Sequence, residues 1–244
     1  NVIGYMPEGS PSYDDMSVNA FLKFIAEIRG FSGVERDERI ARVARRLDLG
    51  DVMDRPIDVL SKGFRRRVGL AQSILHDPPV LLLDEPTDGL DPNQKHQVRG
   101  LIAEMAAEKV VIISTHILEE VEAVCTRAII IGHGKVLADG TAGDLLARLP
   151  DHTAVCIVLP IAAATQAAAY FRDHPSVAAV FESPGAEGHA KLRLTPKSSG
   201  ILIDEIAAAV STQNFPVIEI YQDGGNLDDA FRLITTGGVT HAAA

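Results

Sequence analysis

From Ser17 to Gly30 the apolar residues Val18, Phe21, Leu22, Ile25 and Ile28 recur at spacings of three and four, and Ser17 stands where an N-cap belongs. That pattern predicts one amphipathic helix. After a break between Gly30 and Gly33, Ile40, Val43 and Leu47 mark a second helix ending near Gly50, and a third is expected from Arg65 to about His76. Val80 to Leu83 and Val110 to Ile113 are instead short continuous apolar runs, as in strands buried on both faces of a parallel sheet. Residues from about Pro92 to Glu108 have helix length and composition, which makes this segment β-α-β. Arg127 to Ile131, the turn Gly132-His133-Gly134 and Val136 to Ala138 read as a hairpin. The first part of the chain is therefore α/β.

A different rhythm begins at Pro150 and Asp151. Strands are expected at 154–159, 176–183, 189–194 and 216–221, with helices at 162–173 and 199–212 and a turn at Pro184-Gly185. That order, βαββαβ, is the ferredoxin-like arrangement of an α+β domain. A short amphipathic piece, Leu227 to Ile234, follows it. The expected domains are 1–148 and 149–244. Thr153 to Phe171 holds 19 residues without a charge, about the length of a membrane span. Its β-branched first half, Pro160 and its Ala-rich second half favour a buried strand followed by a helix.

Composition narrows the function classes. Lys and Arg number 23 and Asp and Glu 33, a net charge of −10, with 46% apolar residues, so neither disorder nor a basic nucleic-acid footprint fits. Cys125 and Cys156 form no closely spaced pair, which suits a reducing compartment better than a disulfide framework, and Cys125 is expected in the core. The first residue is Asn1 rather than Met, and the chain opens directly in an apolar segment, so a truncated start is expected. No secretory signal is visible.

The chemistry concentrates at Val80-Leu81-Leu82-Leu83-Asp84-Glu85-Pro86-Thr87. Two adjacent carboxylates stand at the C-terminal end of a buried strand, where open α/β sheets gather ligands. Asp84 is placed to reach Mg²⁺, a hard cation held by carboxylate, water and phosphate oxygens, and Glu85 to polarise a water. By itself Asp-Glu-Pro also fits a solvated strand end. Earlier in the chain, Leu60-Ser61-Lys62-Gly63-Phe64 leads into the third helix, whose N-terminal N–H groups attract anions, although Ser61 also reads as a plain cap. Ser114-Thr115-His116 ends the second buried strand and brings an imidazole to the same sheet edge. Asp91-Pro92 opens the next helix. Of Arg65, Arg66 and Arg67, two are expected to face solvent.

These residues together resemble the ATP-binding subunit of an ABC transporter. Leu60 to Phe64 looks like the signature motif, Val80 to Glu85 like Walker B with its catalytic Glu, Gly89-Leu90-Asp91-Pro92 like the D-loop, His116 like the switch histidine and Tyr5-Met6-Pro7-Glu8 like the Q-loop. The resemblance covers about residues 1–145. It implies a P-loop NTPase core of ABC type with a helical subdomain over about 16–76, here missing its N-terminal strands, and a C-terminal accessory or regulatory domain. It further implies ATP and Mg²⁺ as cofactors, a second nucleotide-binding subunit in a head-to-tail dimer, and membrane-spanning transporter subunits as partners. The location implied is cytoplasmic and peripheral, on the inner face of the cell membrane, in an exporter. On that pattern Glu85 is the general base and His116 contacts the γ-phosphate. Asp84, through water, and Glu8 serve the metal, while Ser61, Lys62, Gly63, Glu8 and Asp91 serve ATP.

Three departures stand out. Glu8 replaces the commoner Gln, and Lys62 and Phe64 replace the commoner Gly and Gln of the signature. No G-x-x-x-x-G-K-[ST] occurs, so nothing in these residues cradles the α- and β-phosphates, and the chain alone is expected to be inactive. The competing readings are a soluble ABC-type ATPase acting on nucleic acid or the ribosome, which lacks support in the charge balance, and a non-catalytic regulatory module, against which Glu85 and His116 argue. Missing strands of the core are expected to leave apolar surface uncovered.

Overall fold

The computed structural model describes residues 2–9, 13, 15–186, 188–198 and 202–236. Asn1 and the first residues of the helix expected at 199–212 lie outside them. Two compact units are formed, Asn1–Cys125 and Thr126–Ala244.

In the first unit, strands β1 (Ile3–Met6), β2 (Val80–Asp84) and β3 (Val110–Ser114) form a parallel sheet in the order β1-β2-β3. The register pairs Met6 with Leu83 and Asp84 with Ser114, so the three strands finish at one edge. Leu81 and Leu83 alternate onto the face that meets helices α3 (Lys62–Ile74) and α4 (Pro92–Ala106), in a core with Val68, Leu70, Ala71, Val98 and Ile102. The strands lie so close to α3 that a Cβ at Gly4 would stand 2.1 Å from the Ser73 carbonyl oxygen. The same core takes Val18, Phe21 and Leu22 of α1 (Val18–Ile28) and Ile40 and Val43 of α2 (Gly33–Arg46). A short α5 (Leu118–Val124) follows β3. On the opposite sheet face Ile3, Tyr5, Val110 and Ile112 are each about half exposed.

Where the elements differ from expectation, the causes are local. Ser17 caps α1, its hydroxyl accepting from Ala20 N at 3.2 Å. The second helix stops at Arg46, and a single 3₁₀ turn, Gly50–Val52, takes up the chain near the expected end. The third helix starts at Lys62, a turn before Arg65, because the Ser61 hydroxyl accepts from Phe64 N at 3.3 Å. Cys125 is only half buried, at the C-cap of α5 rather than in the core.

The second unit begins with the hairpin β4 (Ala128–Gly132) and β5 (Lys135–Gly140), whose two-residue turn His133-Gly134 has both φ angles positive, as the right-handed strand twist prefers. A capping box between Thr141 and Asp144 then nucleates the short α6 (Ala142–Leu146), which the apolar pattern does not reveal. Strands β6 (Ala154–Pro160), β7 (Val177–Pro184), β8 (His189–Pro196) and β9 (Glu219–Asp223) form an antiparallel sheet in the order β7-β8-β6-β9, the ferredoxin-like order. Helices α7 (Ile161–Arg172) and α8 (Leu202–Gln213) join β6 to β7 and β8 to β9. Phe171, Ala167 and Ile206 on them meet Val155, Ile157, Leu192 and Leu194 from the sheet in one core. The uncharged segment 153–171 is thus the strand and Ala-rich helix expected of it. No helix among the described residues is long and apolar enough to cross a membrane.

Helix α9 (Leu227–Thr236) packs against β5 and α6. By compactness, therefore, the hairpin and α6 group with the ferredoxin-like sheet, and the dividing line falls at Cys125, ahead of the boundary expected at 148/149.

Candidate functional site

At the C-terminal edge of the parallel sheet the chain leaves β2 through Asp84-Glu85 and leaves β3 through Ser114-Thr115-His116. Glu85 adopts a φ of 48°, a left-handed backbone that a non-glycine residue occupies at a cost of order 1–3 kcal/mol. Its N–H donates to the Ser114 carbonyl at 2.9 Å, which ties the two strand ends together. The turn aims the side chain at the end of β3. There Glu85 Oε1 accepts from the His116 backbone N–H at 3.1 Å and from His116 Nδ1 at 2.7 Å, while Oε2 accepts from Thr115 Oγ1 at 3.3 Å. The Glu85 carboxylate is 15% exposed and the imidazole 75% exposed. The hydrogen bond from His116 to Glu85, then their charge attraction, raises the His116 pKa above its ordinary 6.5. Nδ1 is engaged, so Nε2 is the ring atom left to meet a ligand.

Asp84 sits beside this pair, its Oδ1 accepting a hydrogen bond from the Ser114 hydroxyl. A groove of about 140 Å³ opens against Asp84 and Ser114 and is otherwise lined by Tyr5, Leu82, Leu83 and Ile112. No cluster of three or more His, Cys, Asp or Glu side chains among the described residues closes around an ion. A single carboxylate with a neighbouring hydroxyl fits Mg²⁺, which takes one or two protein carboxylates and completes its shell with water and phosphate oxygens. Asp84 is the residue that would hold it. Glu8 lies exposed just beyond β1, at the same edge of the sheet.

The residues before α3 assemble with a different partner. Lys62 Nζ bonds to Asp88 Oδ2 at 2.7 Å, and Arg66 Nη2 reaches the same oxygen at 3.3 Å. The hydrogen bond from Lys62 is the main reason the Asp88 carboxyl lies below its ordinary 3.8. Lys62, in the place of the commoner glycine, thus ties the start of α3 to the turn that leads into α4. Gly63 is buried there: an added Cβ would stand 2.5 Å from Gln94 Oε1. Asp91 caps α4, its Oδ1 accepting from Gln94 N at 2.9 Å. No hydrogen bond among the described residues joins Ser61, Lys62, Gly63 or Asp91 to Glu85, Asp84 or His116.

The expectation for the arginines is overturned. Arg66 and Arg67 are both buried, because Arg66 meets Asp88 while Arg67 lies 4.5 Å over the Phe64 ring and donates to Leu47 O at 3.1 Å. Sequence reasoning also passed over Thr115, Asp88 and Glu120. Glu120 falls with Ile117, Val121 and Val124 on one helical face at i, i+3, i+4 and i+7, a signal that it is buried. A concavity of about 400 Å³ between Arg45, Arg46, Arg67, Val98 and Glu104 contains none of the candidate residues.

Comparison with known proteins agrees with this arrangement. The ABC transporter family profile matches residues 1–88. An uncharacterized ABC transporter ATP-binding protein, YxlF, of Bacillus subtilis is 33% identical over 144 residues, 59% of this chain and 49% of that protein. The daunorubicin/doxorubicin resistance ATP-binding protein DrrA of Streptomyces peucetius is 37% identical over 129 residues, 52% of this chain and 39% of that protein. A solved ATP-binding subunit of an ABC transporter superposes with a TM-score of 0.54 at 30% identity, over 59% of this chain and 60% of that one. The chain spans about half or less of the curated relatives it matches. Over the matched portion, the parallel sheet with its Asp84-Glu85 edge and the helices around it, this chain is similar to ATP-binding proteins of ABC transporters.

Proposed function

We propose that these residues are part of an ATP-hydrolysing subunit that energises an ABC transporter of the exporting kind. The observation that carries this reading is the grip of His116 on Glu85 at the edge where Asp84 ends β2. Glu85 is the general base: held by the His116 N–H and ring, it keeps an Oε2 lone pair free and takes a proton from the attacking water. His116 Nε2 meets the γ-phosphate. Mg²⁺, when bound near Asp84 with a contribution from Glu8, supplies neutralisation of the phosphate oxygens. Ser61, Lys62, Gly63 and Asp91 act on the ATP held by a second subunit, which agrees with their separation from Glu85. Charge placement rather than covalent chemistry is what such a site contributes.

The partners in this reading are a second nucleotide-binding subunit and membrane-spanning subunits, with the chain on the cytoplasmic face of the membrane. The name of DrrA, a drug-resistance protein, supports export. The ferredoxin-like domain regulates the assembly or contributes dimer contacts, since all the candidate site residues, from Glu8 to His116, lie in the first unit. The 244 residues by themselves, lacking a G-x-x-x-x-G-K-[ST] loop, do not turn over ATP. Steady-state ATP turnover, measured on this chain and on the complete product of its gene, tests the reading. Turnover is expected only from the latter, and turnover of the chain alone that Glu85→Gln abolishes would overturn the claim of inactivity.

A further inference from the structure

Behind Glu85 lies a second carboxyl that the hydrolytic scheme does not use. Glu120, in the first turn of α5, is 1% exposed. Its Oε2 stands 3.2 Å from Thr115 Oγ1, the same hydroxyl that lies 3.3 Å from Glu85 Oε2, and Thr115 Oγ1 also accepts from the Ile117 N–H at 3.1 Å. Glu120 Oε1 is buried without a hydrogen-bond partner, and Arg99 Nη2 approaches it only to 3.9 Å.

Proton counting decides the state of this chain of groups. A threonine hydroxyl has one proton and two lone pairs. One lone pair receives the Ile117 N–H. With both carboxylates ionised, Glu85 and Glu120 compete for the single hydroxyl proton, and the loser is left with oxygen lone pairs facing oxygen in a buried place. A proton on Glu120 resolves the conflict: Glu120 donates to Thr115, and Thr115 donates to Glu85. Every hydroxyl position is then used once. The burial of Glu120, which pushes its carboxyl above the ordinary carboxylate range against the pull of Thr115, Arg99 and Lys95 and with the help of Glu85, agrees with this assignment.

We propose that Glu120 is a positioning residue for Glu85: a protonated buried carboxyl that orients the Thr115 hydroxyl, which in turn holds the second oxygen of the Glu85 carboxylate. The proposal deepens the hydrolytic reading of the site and rests on it for its functional meaning. Glu120 touches neither substrate nor metal. It acts by leaving Glu85 one orientation, so that Oε1 stays on His116 and the free Oε2 lone pair keeps one direction.

The test has two arms. In the 244-residue chain without nucleotide, carboxyl ¹³C NMR follows the Glu120 titration and imidazole NMR follows His116. Glu120 is expected to titrate above the ordinary carboxylate range. The His116 midpoint is expected to fall in Thr115→Val and Glu120→Ala and to stay in Glu120→Gln, whose carboxamide donates to Thr115 as the acid does. A Glu120 that titrates near 4.5 or below, or a Gln variant that moves His116 as far as the Ala variant does, would overturn the proposal. In the complete gene product, Glu120→Ala is expected to lower ATP turnover about tenfold to a hundredfold, with Glu120→Gln close to the parent protein. Equal loss in both variants means an ionised partner for Arg99 and overturns it as well. The NMR arm reads no hydrolysis, so failure of the ATPase reading and failure of the positioning role remain distinct.

Discussion

The ring Nδ1 and the backbone N–H of His116 both point at one oxygen of Glu85, at 2.7 and 3.1 Å. Two donors on one carboxylate oxygen, delivered by adjacent atoms of the same residue, fix the carboxylate against β3 even though the imidazole is largely exposed. The first prediction is a titration. The hydrogen bond to Glu85 raises the His116 midpoint above 6.5, and Glu85→Gln should return it close to that value in imidazole NMR. The stability this pair contributes is fully present below the unfolded midpoint and is lost as pH rises through the folded one, so the Glu85–His116 clasp loosens on the alkaline side. A His116 midpoint at or below 6.5 in the parent chain contradicts it.

Asp88 behaves in the opposite sense. Lys62 first, and Arg66 with it, hold its carboxyl below 3.8, so their contribution is present above that pH and disappears as pH falls through the depressed folded value. Lys62 is largely exposed, and its removal as Lys62→Gly should cost no more than about 0.5 kcal/mol in urea unfolding. Asp88→Ala leaves the buried Arg66 guanidinium without its carboxylate and should cost more, about 1–3 kcal/mol after allowance for the partial exposure of Asp88. Equal costs for the two variants would show that Arg66 does not depend on Asp88.

Two glycines separate packing from function. Gly4→Ala drives a methyl into the Ser73 carbonyl, with Leu81 and Pro78 also inside 3 Å, and should destabilise the first unit by about 1–3 kcal/mol or more. Gly63→Ala meets the end of the Gln94 side chain, which can turn away, so the midpoint of urea unfolding should barely move. If Gly63 serves a nucleotide phosphate, the same variant loses ATP turnover in the complete gene product while keeping its fold.

Ser61 carries two roles that one substitution reads separately. Its hydroxyl caps α3 through Phe64 N, so Ser61→Ala should cost about 1 kcal/mol of stability. Ser61→Asp keeps the cap and puts a negative charge where a phosphate is expected; it should preserve stability and abolish turnover. Stability and turnover falling together in both variants would reduce Ser61 to a cap.

Much of this was legible because period and punctuation agreed. Val80 to Leu83 has four apolar residues ending on Asp84-Glu85, and no helix reading competes with so short a run. The strand-helix start of the βαββαβ order followed from the β-branched run of β6 and the Ala-rich helix after it. What escaped was charge that folds inward. Two of Arg65, Arg66 and Arg67 were expected to face solvent, yet the partners that bury Arg66 and Arg67, namely Asp88, Phe64 and the Leu47 carbonyl, come from the preceding turn of α3 and from segments about 20 residues away. The third helix was expected only from Arg65, and the Ser61 cap starts α3 before Gly63. The strained φ of Glu85, which turns its carboxylate onto His116, has no signature in composition at all.

The most direct test of the account is the effect of Glu85→Gln on ATP turnover by the complete product of the gene, assayed with Mg²⁺. If Glu85 is the general base, turnover should fall about a hundredfold to ten-thousandfold while nucleotide binding and the unfolding midpoint stay in place. Turnover that survives Glu85→Gln unchanged would contradict it.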